Sequence, residues 1–179
     1  VVLKSFIEWG YDCFSKFNGM FALGIFDIKK NKIILARDIS GEKPLYYYSK
    51  GKTFAFASEA KSFVDIFSLS SCEDKSFFNA FQHCLYSTLY KEVNALPPAS
   101  YMVVDKNSME FKIKRYWNFK QRDIDLNTAD EELESLLSDS VKLRTQSDVP
   151  YGLYFSGGLD SSLISPFHDF DHKYFFDNK

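Results

Sequence analysis

The chain has 179 residues, 45% of them hydrophobic and 18% aromatic, and no apolar run reaches the ~18 residues of a membrane-spanning helix. This composition excludes a disordered or membrane-spanning chain and allows a packed core. A formal charge of -2 with a pI near 5.9, without any Lys/Arg cluster, excludes the basic footprint of a nucleic-acid binder and leaves small molecules or proteins as partners.

The three cysteines, Cys13, Cys72 and Cys84, are an odd number without metal-ligand spacing. Neither a disulfide framework nor a zinc site is expected, and a reducing, cytoplasmic compartment fits. The opening "VVLKSFIEW" lacks an initiator Met and the basic start of a signal peptide, so the chain is expected to be an internal piece of something longer.

Residues 1–17 carry apolar side chains at helical spacing, with Gly10 as the break between two short helices. From Gly19 to Ser58 the runs "MFALGIFDI", "KIILARDI", "PLYYYS" and "TFAFAS" alternate with turn-rich intervals, which predicts a four-stranded antiparallel meander. Ser71 and Asp74 stand in capping-box positions for a helix to about Tyr86. "LPPAS" is expected to be extended. "YMVVD" and "MEFKIKRYW" flank the turn "KNS" as a hairpin, and the polar stretch "NFKQRDIDLN" marks a domain boundary.

Thr128 and Glu131 form a second capping box, followed by a helical stripe of Leu133, Leu136, Leu137, Val141 and Arg144. That helix ends before "SDVP". "YGLYF" then reads as a short buried strand running into "SGGLDSS", residues 156–162.

A strand, a glycine turn and a helix start present unpaired backbone N–H groups, with no Cβ to hinder an anion at the glycines. The hydroxyls of Ser156, Ser161 and Ser162 add donors, so a phosphate chain is the natural ligand. A helix terminus contributes only about 0.3–2 kcal/mol, too little for the charge of pyrophosphate, so a metal ion is required and Asp160 is the carboxylate to meet it. The Lys of a Walker A loop is missing, and the spacing is not a dinucleotide fingerprint. The plain alternative is a helix N-cap by Asp160 or Ser161 behind an ordinary turn.

"SGGLDSS" resembles the PP-loop of the N-type ATP pyrophosphatases, and "SVKLRTQSDVPYGLYFSGGLDSS" is similar to the glutamine-hydrolysing asparagine synthetases. "FNGMFALGIFD", "LARDISGEKPLYYY", "FAFASEAKSF", "LPPASYMV" and "RYW" resemble the second half of their class II glutaminase domain. The resemblance implies an α+β, antiparallel-sheet partial domain of the N-terminal nucleophile hydrolase type over residues 1–120. It implies a linker helix and the start of an α/β, parallel-sheet PP-loop domain over residues 121–179.

The implied chemistry frees ammonia from glutamine, adenylates the side-chain carboxylate of aspartate with ATP, and yields asparagine, AMP and pyrophosphate. By the same resemblance Phe155, Ser156, Gly157, Gly158, Asp160, Ser161 and Ser162 hold ATP and its pyrophosphate, with Mg²⁺ at Asp160. Phe155 stands where the family usually has Leu. The implied partners are aspartate, glutamine and ATP, with neither nucleic acid nor membrane, and a homodimer is an admissible assembly.

The family's glutaminase nucleophile, an N-terminal Cys, has no match here, and Cys13 reads as a core residue. By the same resemblance the charged residues that grip aspartate and pyrophosphate fall after Lys179, so both constellations are incomplete and the 179 residues alone are expected to be inactive in both half reactions. Pro166 shortens the helix after the loop, Tyr151 replaces the usual Val, and Ala99 replaces the usual Gly. These departures keep open a different carboxylate acceptor, on a sugar or a secondary metabolite. A non-catalytic remnant is the third reading.

Three features invite a functional assignment but have structural explanations. Arg37 and Asp38 leave a strand before a Gly41/Pro44 turn. Ser58 can cap the segment beginning "SEAK". His168 and His172 could bind a metal at helical spacing, but Pro166 argues against a continuous helix, and His83 has no partner pattern.

Overall fold

The computed structural model describes residues 1–71 and 88–175. They form two compact units, Val1–Phe119 and Lys120–Lys179. The helix expected after Ser71, with Cys72, His83 and Cys84, lies outside the described residues.

The first unit opens with α1 (Val2–Trp9) and a 3₁₀ turn (Gly10–Lys16), separated as expected at Gly10, whose φ of 57° suits a residue without a Cβ. Four strands follow, β1 (Ala22–Asp27), β2 (Lys32–Arg37), β3 (Tyr46–Lys50) and β4 (Thr53–Ala57). They do not form the expected single meander. β1 and β2 belong to one antiparallel sheet of order β1-β2-β6-β7, completed by β6 (Ser100–Asp105) and β7 (Phe111–Arg115). β3 and β4 form a second, of order β4-β3-β5, with β5 (Val93–Ala95).

The reason lies in the link between β2 and β3. "DISGEKP" is too long for a tight hairpin, and its polar groups are committed locally. Arg37 donates through Nε to the Lys43 carbonyl at 2.9 Å, through one terminal nitrogen to the Leu96 carbonyl at 2.8 Å, and through the other to the Gly41 carbonyl. Asp38, 1% exposed, accepts the N–H groups of Phe21, Glu42 and Lys43. The chain is steered out of one sheet and into the other. Gly41 is obligatory here, because its φ is +72° and a Cβ would stand 2.7 Å from Pro98 Cγ.

Side-chain alternation sorts the strands into layers. Leu35, Met102 and Val104 of the first sheet meet Tyr47 of the second, with Leu45 and Leu96, in the core between the sheets. On the opposite face of the first sheet, Ile34, Ala36 and Tyr101 pack on Cys13 and Phe14 of the 3₁₀ turn. Tyr48 and Val93, on the outer face of the second sheet, pack on Phe63 of the 3₁₀ turn Ala60–Phe63, which runs into α2 (Val64–Phe67). The first unit is thus a helix–sheet–sheet–helix sandwich. Each fully buried large side chain in it, Phe14 or Met102 for example, contributes about 1.5–3 kcal/mol.

Ser58 does not cap the "SEAK" turn: Glu59 holds the N-cap position and its carboxylate pairs with Lys61 at 2.7 Å. "LPPAS" is not extended throughout either. Pro98 and Ala99 form a turn, with buried Ala99 at φ 53°. The backbone folds back there so that Ala99 N–H reaches the Asp38 carbonyl and Tyr116 N–H reaches the Ala99 carbonyl, both at 2.8 Å.

In the second unit α3 (Ala129–Arg144) starts and stops where expected. Thr128 is its N-cap by position, but its hydroxyl donates backward to the Asp125 carbonyl at 3.3 Å instead of accepting from Glu131. The capping box is therefore not formed. β8 (Gly152–Phe155) leads through a glycine turn into α4 (Leu159–Ile164) and a 3₁₀ turn (Ser165–Phe167), and the chain returns in β9 (His172–Phe175), parallel to β8. The strand expected to be buried has only Leu153 buried, with Tyr154 73% exposed, because among the described residues it pairs with β9 alone.

Candidate functional site

The segment 156–162 joins the carboxyl end of β8 to the amino end of α4, the place where open α/β sheets receive ligands. Gly157 has φ +76°, and nothing lies within 4 Å of the position a Cβ would take. The turn therefore needs glycine for its backbone angle and faces open space. Gly158, extended at φ -74° and ψ 170°, is the N-cap of α4.

Two hydroxyls converge on this turn. Ser156 Oγ accepts the Gly158 N–H at 3.3 Å and lies 3.2 Å from Ser161 Oγ. Ser161 Oγ donates to the Gly158 carbonyl at 3.1 Å, and the Ser162 N–H reaches the same carbonyl at 3.1 Å. Neither Asp160 nor Ser161 is the N-cap, and α4 has no side-chain cap bond. Asp160 is exposed in the first helical turn, where N–H groups have no partner within the helix.

Phe155 ends β8 half-buried, with its ring edge-to-face to Phe175 at 5.3 Å. The seven residues singled out from the sequence thus form one continuous strand end, turn and helix start.

The other candidates are structural. Arg37 and Asp38 form the internal brace described above. Burial alone would raise the Asp38 carboxyl, but the N–H bonds from Lys43, Glu42, Phe21 and Gly41 outweigh it and hold the group below its ordinary value. Cys13 is fully buried, and burial, with Asp12 nearby, pushes its thiol up, away from the reactive thiolate. His168 follows the 3₁₀ turn in extended backbone and His172 opens β9, so they share no helix face. No group of three His, Cys, Asp or Glu able to hold a metal occurs among the described residues.

One pairing escaped the sequence reading. Tyr151, directly before β8, has its hydroxyl hydrogen-bonded to His168 Nε2, with the two rings 5.6 Å apart. The available signal was Pro166, which ends the helix and sends the chain back toward β8.

A family profile described as "Glutamine amidotransferase domain" matches residues 1–117, and one described as "Asparagine synthase" matches residues 132–173. A protein of Methanocaldococcus jannaschii, provisionally named asparagine synthetase (glutamine-hydrolyzing) 2, is 37% identical over 173 residues, covering 92% of this chain and 33% of its own length. Asparagine synthetase (glutamine-hydrolyzing) 3 of Bacillus subtilis is 32% identical, covering 92% of this chain and 28% of its own length. Amidase chry2 of Gibberella zeae is 29% identical, with 92% and 25% covered.

The chain spans a third or less of the length of these relatives. The antiparallel sheets of the first unit fit a glutamine amidotransferase domain. The chain belongs to the glutamine amidotransferase domain family through residues 1–117, and its residues 132–173 match the asparagine synthase family.

Proposed function

We propose that this chain is part of a glutamine-dependent asparagine synthetase. In the proposed reaction ATP adenylates the side-chain carboxylate of aspartate, and ammonia from glutamine displaces AMP, giving asparagine, glutamate, AMP and pyrophosphate. Residues 1–120 are assigned to the glutamine amidotransferase part, and residues 121–179 to the linker helix and the start of the ATP pyrophosphatase part. A cytoplasmic location goes with these substrates.

The observation that carries the reading is the open glycine turn between β8 and α4, with Gly157 at φ +76° and the Ser156 and Ser161 hydroxyls 3.2 Å apart beside it. Its residues fit a phosphate chain. Gly157 and Gly158 let backbone N–H groups approach phosphoryl oxygens, Ser156, Ser161 and Ser162 add hydroxyl donors, and Phe155 contacts the nucleotide. Because α4 has only six residues, its dipole contributes less than that of a long helix. Mg²⁺ at Asp160 would neutralise the remaining phosphate charge.

A second reading keeps the architecture and changes the acceptor to a carboxylate on a sugar or a secondary metabolite. It is favoured by the early helix end, where α4 gives way to a 3₁₀ turn at Ser165–Phe167 containing Pro166. The test is to graft residues 1–175 into the corresponding stretch of the Bacillus subtilis relative and analyse products with ATP, glutamine and aspartate. Asparagine with AMP and pyrophosphate is expected. ADP in place of AMP would contradict the reading, and AMP formed only with another carboxylic acid would favour the second acceptor class.

A further inference from the structure

We propose that Tyr151 and His168 form a clasp that positions the loop 156–162, a role that rests on the phosphate-binding reading of that loop. The loop lies inside a closed crossover. β8 leaves Tyr151, the glycine turn and α4 follow, and the 3₁₀ turn delivers the chain to His168 before β9 runs back beside β8.

The two ends of this excursion, 17 positions apart in sequence, are joined by the Tyr151 hydroxyl to His168 Nε2 bond. Asp171 Oδ2 accepts the Tyr151 N–H at 3.2 Å, and the Phe170 ring stands edge-on to both Tyr151 and His168, at 6.4 and 5.3 Å. Closing the base of a loop removes conformations from everything within it. Here that includes Gly157, the one residue of the turn with a left-handed φ, and the Ser156–Ser161 hydroxyl pair.

The bond can run from the Tyr151 O–H to Nε2 or from an Nε2–H to the phenol oxygen, according to the imidazole tautomer. Tyr151→Phe keeps the ring stack and removes only the hydroxyl. Tyr151 and His168 lie at the amino end of β8, away from the phosphate loop at its carboxyl end, so they act through the crossover as positioning residues.

The test uses the 179-residue chain and Tyr151→Phe, with Mg²⁺-pyrophosphate as the probe. Imidazole nitrogen shifts of His168 should show Nε2 hydrogen-bonded in the parent chain and lose that signature in the variant. Amide exchange at Ser162, whose N–H bonds the Gly158 carbonyl, should rise while exchange in α3 stays unchanged. Affinity for the probe should fall by about three- to tenfold, the worth of one net hydrogen bond.

Equal exchange at Ser162 and equal affinity in parent and variant would overturn the clasp. If the parent chain binds no probe, the phosphate-binding reading fails, and with it the role of positioning a phosphate loop. The exchange and imidazole-shift measurements then still decide whether the clasp orders the turn.

Discussion

The Asp38 carboxylate accepts the backbone N–H of Phe21 at 3.2 Å, joining the end of β2 to the residue before β1 across 17 positions of sequence. The same carboxylate also accepts from Glu42 and Lys43, at 2.9 and 3.0 Å. A buried carboxylate with several N–H donors costs more to remove than to build, because truncation leaves all the donors orphaned. Asp38→Ala should destabilise the first unit by roughly 3 kcal/mol, read as a shift in the denaturant midpoint.

The sign of the pH dependence follows from the lowered Asp38 carboxyl. Its stabilisation is present above the unfolded-state value of about 3.9 and is lost as pH falls through the lower, folded value. Asp38→Asn should remove this contribution at neutral pH and flatten the acid limb of the stability profile. An unchanged acid limb in Asp38→Asn would show that other carboxylates govern it.

Two glycines separate a soft contact from a hard one. A Cβ at Gly24 would meet the Phe56 ring at 3.1 Å, and that ring is 46% exposed and free to turn, so Gly24→Ala should cost less than about 1 kcal/mol. A Cβ at Gly152 would meet the His172 carbonyl oxygen at 2.7 Å. Gly152→Ala must push β8 and β9 apart and should cost about 2 kcal/mol or more, measured by amide exchange in those strands.

Gly157→Ala separates stability from ligand binding. Its φ of +76° strains an L-residue, but open space surrounds the added methyl, so folding should lose only about 1–2 kcal/mol. If the proposed phosphate site is the turn, binding should be lost, because the added methyl projects into the open space beside it. Retained affinity in Gly157→Ala would move the binding surface elsewhere.

Cys13, fully buried beneath the first sheet, should resist thiol reagents in the folded chain and react only on unfolding. Peptide-resolved mass spectrometry distinguishes it from Cys72 and Cys84. Modification of Cys13 under native conditions would contradict its place in the core.

Local chemistry made the second unit's key junction legible. A strand, two glycines and a hydroxyl-rich helix start follow from side-chain size and backbone freedom, and the structure has β8, a left-handed Gly157 and α4 in that order. All four strands between Ala22 and Ala57 are legible as apolar runs between turn-rich intervals, but their division into two sheets is not. That division depends on Arg37 and Asp38 capturing backbone groups from Phe21 to Leu96, pairings that no local pattern encodes.

Thr128 shows the opposite failure: a correct local motif, overridden when the Asp125 turn offered its hydroxyl a nearer acceptor. At Ala99 the proline pair suggested extension, whereas the buried turn required a left-handed residue. The resemblance registered Ala99 as a replacement for glycine, and the φ of 53° gives the physical reason that glycine suits the position.

Phosphate binding at the 156–162 turn is tested most directly by titration of Mg²⁺-ATP and Mg²⁺-pyrophosphate into the 179-residue chain, the Gly157→Ala variant and Asp160→Asn, followed by ³¹P NMR and calorimetry. Saturable binding by the parent chain, loss of binding in Gly157→Ala, and weakened Mg²⁺ dependence in Asp160→Asn are expected. Absence of binding by the parent, or equal binding by all three proteins, would contradict phosphate binding at this turn.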